Sequence, residues 1–486
     1  MATVRVFHSH IEVSPYHKGD VPYLEKLLSG RDLKYGGYYR LCYYIDKFTD
    51  TLYIPRGVSI PYLNKVFNTM AISNNKPDPY KKMKCKVTAS PKSKIQKEAI
   101  DFLTCSDVFT HNDSYSQFSL NLDQGDGKTG AAIMAIAKLK LRAIIILHQN
   151  KLKSQWIESV EKFTDISSDR VLDISGSAII KKLISGDIDV NDYDIFCVTH
   201  QTITSFANDR NWNEVADFFK ILKVGIKVID EVHLFFENSF MIDCFSNTYK
   251  TFYLTATFSR SNISEVRAYD VTFANTVRFG EETYNYEEKR KHINIFLLYF
   301  RSVPSYGIKP DTKSTYGFSS YKYIDYELNN DSNNTLRKVL TKIINITKNL
   351  EGKTLILSPK IETVYIIAKY VEEITGEYCG TICSENPKDL NEKSCECRYI
   401  SSTAKSSGTG VDIHGLRILI DLEPVSSKLY MDQIRGRLRE YSPDKDTYLF
   451  IPVDTTLPDV SNMINRLVPS MRKKSKKIIK RNMFDI

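Results

Sequence analysis

The chain of 486 residues is long enough for roughly two to four domains. Its 42% hydrophobic and 26% charged side chains are ordinary globular composition, which excludes a disordered or collagen-like chain. A net charge of +9 admits a polyanionic partner without requiring one, and no run reaches the ~18 apolar residues of a membrane span. Nine scattered cysteines, an odd number, and a start without a secretory signal point to a reduced, cytoplasmic protein.

Residues 1–85 read as a small α+β accessory module. Val4 to Phe7 alternates as a strand, and Val21 to Ser29 suits a short helix. Tyr38 to Ile45 and Thr51 to Ile54 suit paired strands, and Ser59 to Phe67 is helical. Lys34, Tyr35, Tyr38, Tyr39 and Arg40 are candidates for phosphate contact and base stacking, although a Tyr-rich strand that only packs explains them equally. The basic stretch from Asn74 to Lys84 contains Pro77 and Pro79 and is a linker candidate. Ile95, Ala99, Ile100 and Leu103 then give helical spacing, and this helix carries Gln96, whose amide offers donor and acceptor together.

Leu122-Asp-Gln-Gly-Asp-Gly-Lys-Thr129 follows a strand candidate ending at Leu122 and opens a helix from Gly130. That is the context a phosphate-binding loop requires. Gly125, Asp126 and Gly127 place backbone N–H groups around an anion, and the helix start adds partial positive charge. Lys128 can reach the β/γ-phosphates of a nucleotide, and Thr129 can hold Mg²⁺. Leu122 stands where the full pattern places glycine.

Strands and helices then alternate. Ala143 to Leu147 is a continuous apolar run, as for a strand buried on both faces, and opens into His148 and Lys151 ahead of a helix with Trp156, Val160 and Phe163. Tyr193 to Val198 leads to Thr199-His-Gln-Thr, Ile226 to Ile229 to Asp230-Glu-Val-His, and Thr251 to Leu254 to Thr255-Ala-Thr. This argues for a doubly wound α/β sheet with ligands at the carboxyl ends of its strands, where these polar clusters fall. Asp230 can hold Mg²⁺ through water, and Glu231 can orient and polarise an attacking water.

Residues 266–300 contain apolar strand candidates, Ile293 to Phe300 among them. Residues 301–334 mix Tyr306, Tyr316, Phe318, Tyr321 and Tyr323 with Lys309, Lys313 and Lys322, either a nucleic-acid-facing hairpin or a plain connection. If it forms a separating wedge, its deletion reduces unwinding more than ATP hydrolysis. A second α/β half follows: a helix from Thr335 to Leu350, strands from Lys353 and Leu416, a helix over 427–440 with Arg435, Arg437 and Arg439, and a final strand from Asp446. The basic run Arg472 to Arg481 reads as a solvated or fraying helix end, with attraction to nucleic acid as the alternative.

In this order the motifs resemble those of superfamily 2 helicases and translocases over about residues 90–455. Gln96 matches the adenine-reading glutamine, Gly125 to Thr129 motif I, and His148 to Gln155 motif Ia. Thr199 to Thr202, with Gln201, resembles the next strand-contacting motif, Asp230 to His233 the DExH box, and Thr255-Ala-Thr motif III. Ser358-Pro-Lys resembles motif IV, Thr403 to Asp412 motif V, and Gln433-Ile-Arg-Gly-Arg-Leu-Arg motif VI. The resemblance implies an α/β fold of two tandem RecA-like domains, parallel sheets flanked by helices, with a small N-terminal α+β accessory domain. It divides the chain at 1–85, 86–290, a 291–334 connection, 335–460 and a basic 461–486 segment, with ATP in an interdomain cleft. It further implies that Gly410, Asp412, Gln433, Arg437 and Arg439 serve the nucleotide and that His148, Lys151, Thr199, Gln201, Ser358 and Thr403 contact nucleic acid. Arg437 is the arginine finger, a group worth about 10³–10⁵ in rate. The family's second arginine falls where this chain has Glu440, Arg435 is extra, and Ile95 replaces a common adenine-flanking residue.

A finer resemblance is to the phage UvsW type of helicase, carried by Val4 to His10, Lys34 to Gly57, Asn121-Leu122 and Gly408-Thr-Gly410. It implies ATP and Mg²⁺ as cofactors and duplex, branched or single-stranded DNA and RNA–DNA hybrid as partners. The function it implies is branch migration or unwinding in recombination, repair or replication, in a phage-infected or other virus-infected cytoplasm. A poxvirus-type transcript-release helicase shares the same core and size. A nucleic-acid-dependent ATPase that remodels a protein partner, and an inactive ATPase scaffold, complete the readings. Against the scaffold stand Lys128, Asp230, Glu231 and Arg437. Cys379, Cys383, Cys395 and Cys397 are poorly spaced for zinc, and His8 and His10 sit on one strand face.

Overall fold

The computed structural model describes residues 2–31, 38–67, 71–106, 116–122, 125–255, 263–280, 291–302, 311–314, 317–329, 335–408, 413–425, 427–438 and 445–483. They fall into two compact units, Met1–Tyr286 and Glu287–Ile486.

The first unit is built on a seven-stranded parallel sheet. In spatial order its strands are Val171–Ile174, Ile195–Thr199, Ala143–Leu147, Ile226–Asp230, Lys250–Thr255, Gln117–Asn121 and Val277–Phe279. Ala143–Leu147 is buried along its whole length between two neighbours, which is why it reads as an unbroken apolar run rather than an alternating one. In the stretch 266–300, expected to contain strands, Ile293–Phe300 is one, whereas the start of the stretch belongs to the helix Ile263–Thr272. Glu265, Ala268, Tyr269 and Thr272 are buried on that helix and Phe273 just beyond its end, an i, i+3, i+4, i+7, i+8 spacing that strand alternation cannot bury on one face.

The accessory module has a mixed sheet ordered Tyr44–Asp46, Thr51–Pro55, His10–Ser14, Thr3–Val6 and Ala71–Asn74. The single strand expected over 38–45 is two: Tyr38–Arg40 pairs with Ser29–Arg31, and Tyr44–Asp46 pairs with Thr51–Pro55. The module shares one continuous apolar core with the outer face of the parallel sheet. Tyr53 and Tyr44 lie against Phe245 at 4.8 and 5.7 Å, and Trp212 stacks on the same ring at 5.3 Å. Ser9 donates to the Asp243 carbonyl at 2.8 Å, and Tyr39 donates to Glu265 at 2.7 Å. Gly57 sits so close that a Cβ there would lie 2.2 Å from the Val271 carbonyl oxygen. The stretch read as a linker is a strap along the parallel-sheet body: Asp78, Lys81 and Met83 donate backbone N–H groups to the carbonyls of Asn247, Lys223 and Lys140. Of the proposed surface contacts here, Tyr39 is engaged with Glu265, Arg40 lies over the Tyr44 ring, and Lys34 and Tyr35 fall outside the described residues.

The second unit is another seven-stranded parallel sheet, ordered Cys379–Ile382, Tyr399–Thr403, Lys353–Ser358, Leu416–Asp421, Thr447–Asp454, Ile293–Phe300 and Lys477–Asn482. The basic C-terminal run is divided: Arg472, Lys473 and Lys474 are the last residues of the helix Pro458–Lys474, as a helix end was expected, and the rest is a strand. Lys477–Asn482 pairs with Ile293–Phe300 as an edge strand, where lysines blunt further pairing. Within 301–334, Lys313–Ser314 and Gly317–Phe318 form a two-residue hairpin, followed by the helix Ser320–Asn329. Tyr323 and Ile324 of that helix are core residues, so deleting 301–334 would breach the core and could not isolate a wedge. Tyr306, Lys309 and Tyr316 fall outside the described residues. Among the described residues, no helix is long and apolar enough to cross a membrane.

Candidate nucleotide and nucleic-acid site

The phosphate loop stands at the carboxyl end of Gln117–Asn121, and the two carboxylates at that of Ile226–Asp230, with Lys250–Thr255 between these strands. Backbone bonds level these ends: Leu122 donates to the Thr255 carbonyl and Val232 to that of Leu254, both at 3.2 Å. Gly125 and Gly127 adopt φ of 87° and 88°, a left-handed backbone that glycine takes without strain. The helix Lys128–Leu139 starts directly after Gly127, so its unpaired N–H groups face the loop. Lys128 Nζ donates to the Leu122 carbonyl at 2.7 Å, folded back across the cradle. Asp126 and Thr129 are half-buried beside it.

Gln96 is 2% exposed. Its Nε2 donates to the Gly127 carbonyl at 3.0 Å and its Oε1 accepts from the Lys92 backbone N–H at 2.7 Å. Ser93 caps the helix by accepting from the Gln96 N–H at 3.2 Å, so Ser93 and Gln96 form most of a capping box. Lys92 Nζ also donates to the Gly125 carbonyl. Lys92 went unnoticed in the sequence reading, although the Ser-x-x-Gln pattern beside it was a legible local signal.

Burial and the neighbouring Glu231 carboxylate hold the Asp230 carboxyl well above the usual range, against the opposing effect of the Lys128 ammonium and the Trp156 indole. Burial likewise raises Glu231, and Lys128 again opposes. Glu231 occupies a left-handed backbone with φ of 49°, uncommon for a side chain with a Cβ. Its Oε2 lies 3.4 Å from His233 Nδ1, which also bonds Thr255 Oγ1 at 2.7 Å. A carboxylate pair that burial disfavours in its charged form, beside a glycine cradle and a lysine, is a donor set that fits Mg²⁺ carried with a nucleoside triphosphate.

The residues expected to contact nucleic acid divide in two. Thr199, Ser358 and Thr403 are buried hydroxyls engaged locally. Thr199 caps the helix His200–Asp209 by accepting from Thr202 at 3.1 Å, Ser358 bonds Thr363, and Thr403 accepts from the Ser406 N–H at 3.1 Å. Lys151 and Gln201 are exposed at strand ends. His148 is half-buried near His200 and His233, and burial together with those rings and Lys151 pushes its pKa down to about 4.

In the second unit, Gln433 lies half-buried on the helix Lys428–Arg435, and Arg437 lies half-buried in the turn after it. Arg435, the arginine without a family counterpart, is 4% exposed and pairs with Asp432. Gly410, Asp412, Arg439 and Glu440, and the last two residues of Thr255-Ala-Thr, lie outside the described residues. A cluster the sequence reading missed sits beside this helix: Tyr430 donates to Asp421 and Glu423, each at 3.1 Å, and burial with the Glu423 charge pushes Asp421 up to about 8.

Residues 89–260 match the family described as "Type III restriction enzyme, res subunit". Transcript termination protein A18 of Yaba-like disease virus is 23% identical over 358 residues, 71% of this chain and 69% of that protein. Putative helicase 161L of Invertebrate iridescent virus 6 is 26% identical over 384 residues, 74% and 75% of the two chains. S. cerevisiae Dbp5 bound to RNA and ADP BeF3 superposes with a TM-score of 0.51 at 14% identity, covering 81% of this chain and 90% of that one. A fragment of a putative HsdR subunit of a type I restriction enzyme from Vibrio vulnificus YJ016 gives 0.53 at 16% identity, covering 80% and 68%. At such identities the solved structures speak for the fold alone: two RecA-like domains with a small N-terminal domain.

Proposed function

We propose that this superfamily 2 helicase-like ATPase couples ATP hydrolysis to movement along nucleic acid, and that the movement serves transcript release. The observation that carries the reading is the 23% identity over 358 residues to a viral protein named for transcript termination. Branch migration of DNA, the function the phage UvsW-type resemblance implies, has no comparable support among the relatives.

In this reading the Gly125–Thr129 cradle holds the triphosphate, Lys128 leaves the Leu122 carbonyl for the β/γ-phosphates, and Gln96 ties adenine recognition to the loop through Gly127. Thr129 and Asp230 would hold Mg²⁺, which neutralises phosphate charge when bound. Glu231 orients the attacking water, and His233 fixes its carboxylate. Arg437 is assigned as the arginine finger on its place in Gln433-Ile-Arg-Gly-Arg. With the hydroxyls of Thr199 and Thr403 engaged at helix starts and that of Ser358 bonded to Thr363, the strand is gripped by backbone N–H groups at helix starts and by Lys151 and Gln201. Gly410, Asp412, Gln433 and Arg439 complete the proposed nucleotide set.

The test measures ATP hydrolysis alone and with RNA, single-stranded DNA, duplex DNA and a four-way junction, beside Glu231→Gln. Stimulation by RNA, together with release of transcripts from stalled elongation complexes, is expected. Stimulation confined to the junction would replace this reading with branch migration. No stimulation by any of them would favour a switch that remodels a protein partner.

A further inference from the structure

The loop that carries Asp230 and Glu231 ends in two phenylalanines with opposite fates. Phe236 is buried, its ring 5.3 Å from that of Tyr269, whereas Phe235 is 42% exposed. The Phe235 carbonyl accepts from the Ser239 N–H and from Ser239 Oγ, both at 3.0 Å, which fixes its backbone at the start of the helix Phe236–Cys244. The Phe235 ring lies 4.2 Å from the His200 ring, tilted by 38°. Asn238 Nδ2 donates to His200 Nδ1 at 3.2 Å, so the ring that backs Phe235 is itself held in place.

Strand order separates this aromatic pair from the phosphate loop. His200 follows Ile195–Thr199, four strand positions from Gln117–Asn121, which is roughly 19 Å at about 4.8 Å per strand. Gln96, the adenine-reading candidate, is bonded to the phosphate loop itself, so the pair is not needed for ATP. On the side of the pair stand His148 and Lys151, after Ala143–Leu147, and Gln201, on the helix that His200 opens. Lys151 and Gln201 are exposed, and His148 lies close enough to His200 and Lys151 for both to act on its charge. Nδ1 and Nε2 of His148 and Nε2 of His200 have no hydrogen-bond partner among the described residues. An apolar protein partner would seal these nitrogens in unsatisfied, whereas a nucleic-acid strand brings acceptors and bridging water.

We propose that Phe235, backed by His200, stacks a base of a single-stranded nucleic acid whose phosphates pass Lys151 and Gln201. The proposal rests on the nucleic-acid-dependent reading above and adds a contact in the loop that carries Glu231. An exposed aromatic beside a cation is the combination that single-strand-binding surfaces use, and it tolerates any sequence because every base has a π-face. Because the Phe235 backbone and the ring behind it are already fixed, little order is lost on binding. Leu234 donates to the Glu231 carbonyl at 2.9 Å, so the stacked base bears on the same compact turn as the residue that orients water.

The experiment uses the full chain with Phe235→Ala, the conservative variant Phe235→Tyr and the reporter Phe235→Trp. Phe48→Ala, which removes a phenylalanine 95% exposed on the accessory module, is the control. Anisotropy of labelled oligo(U) RNA and of oligo(dT) DNA is followed across salt. Phe235→Ala is expected to bind about 5- to 150-fold more weakly, with the salt slope unchanged because no phosphate contact is removed. Phe235→Tyr and Phe48→Ala are expected to stay near wild type, and the Phe235→Trp fluorescence is expected to be quenched when the strand binds. A loss confined to oligo(U) identifies RNA as the strand, and an equal loss with oligo(dT) identifies a single strand of either kind. The proposal is overturned if Phe235→Ala binds within twofold of wild type, if Phe48→Ala loses as much, or if the added tryptophan is not quenched. A salt slope lower by about 1 would overturn it as well, by making Phe235 a support for a phosphate contact. Failure of wild type to bind either strand would overturn the nucleic-acid reading and this proposal together, whereas binding that Phe235→Ala matches overturns the proposal alone. Melting midpoints within a degree or two of wild type establish that the variants fold.

Discussion

Gln96→Glu tests whether the glutamine governs the phosphate loop. The two side chains have nearly the same shape, so packing around this buried position is kept. The Lys92 N–H at 2.7 Å still finds an acceptor. The donor to the Gly127 carbonyl at 3.0 Å is replaced by a carboxylate oxygen, which sets two acceptors against each other in a buried site. An unsatisfied buried partner costs about 1–3 kcal/mol, and more when charge is involved. Gln96 packs directly on Gly127, where a Cβ would lie 2.4 Å from its Nε2, so the two acceptors cannot separate without moving the loop. The loop must shift away from its anion-binding form, and about 1–3 kcal/mol corresponds to a roughly 5- to 150-fold rise in KM for ATP. Steady-state hydrolysis at saturating RNA, with fluorescent-nucleotide binding beside it, reads this directly. A KM within twofold of wild type would refute the argument that this contact shapes the loop.

Glu231→Gln should lower hydrolysis by about 10²–10⁴ while nucleotide binding persists, since the group acts on water rather than on the phosphates; loss of binding would make it structural instead. Gly57→Ala places a methyl against the Val271 carbonyl and should destabilise the first unit by about 1–3 kcal/mol, read as a melting midpoint lower by several degrees. An unchanged midpoint would contradict the close docking of the accessory module. His148 has its pKa pushed down to about 4, below its ordinary 6.5, so the unfolded chain takes up this proton first. Its contribution is therefore complete above pH 6.5 and is lost as pH falls toward 4, by up to about 2 kcal/mol at pH 5. His148→Asn should flatten the fall in denaturation midpoint between pH 7.5 and 5, and an identical pH dependence in the variant would remove His148 as its source.

What could be read without coordinates was local or periodic. The unbroken apolar run Ala143–Leu147 announced a strand covered on both faces, and Gly125-Asp-Gly-Lys-Thr after a strand announced a phosphate cradle, because spacing alone determines both. The ordered motifs carried two RecA-like domains for the same reason. Long-range pairing was not legible. Tyr39 meets Glu265 across 226 positions, and nothing near Tyr39 distinguishes that contact from an exposed aromatic poised for a base. The lysine-rich run at 477–482 is a strand only because Ile293–Phe300 offers it an edge. Thr199, Ser358 and Thr403 have hydroxyls suited to a phosphate, and only the fold shows them buried against Thr202, Thr363 and Ser406. Arg435 and Arg437, two residues apart, look alike in sequence; the fold buries the first against Asp432 and leaves the second half-exposed in the turn. Sequence determines which chemistry a residue can perform and which period it follows. Only the packing of distant segments determines whether water, another side chain or a ligand will face it.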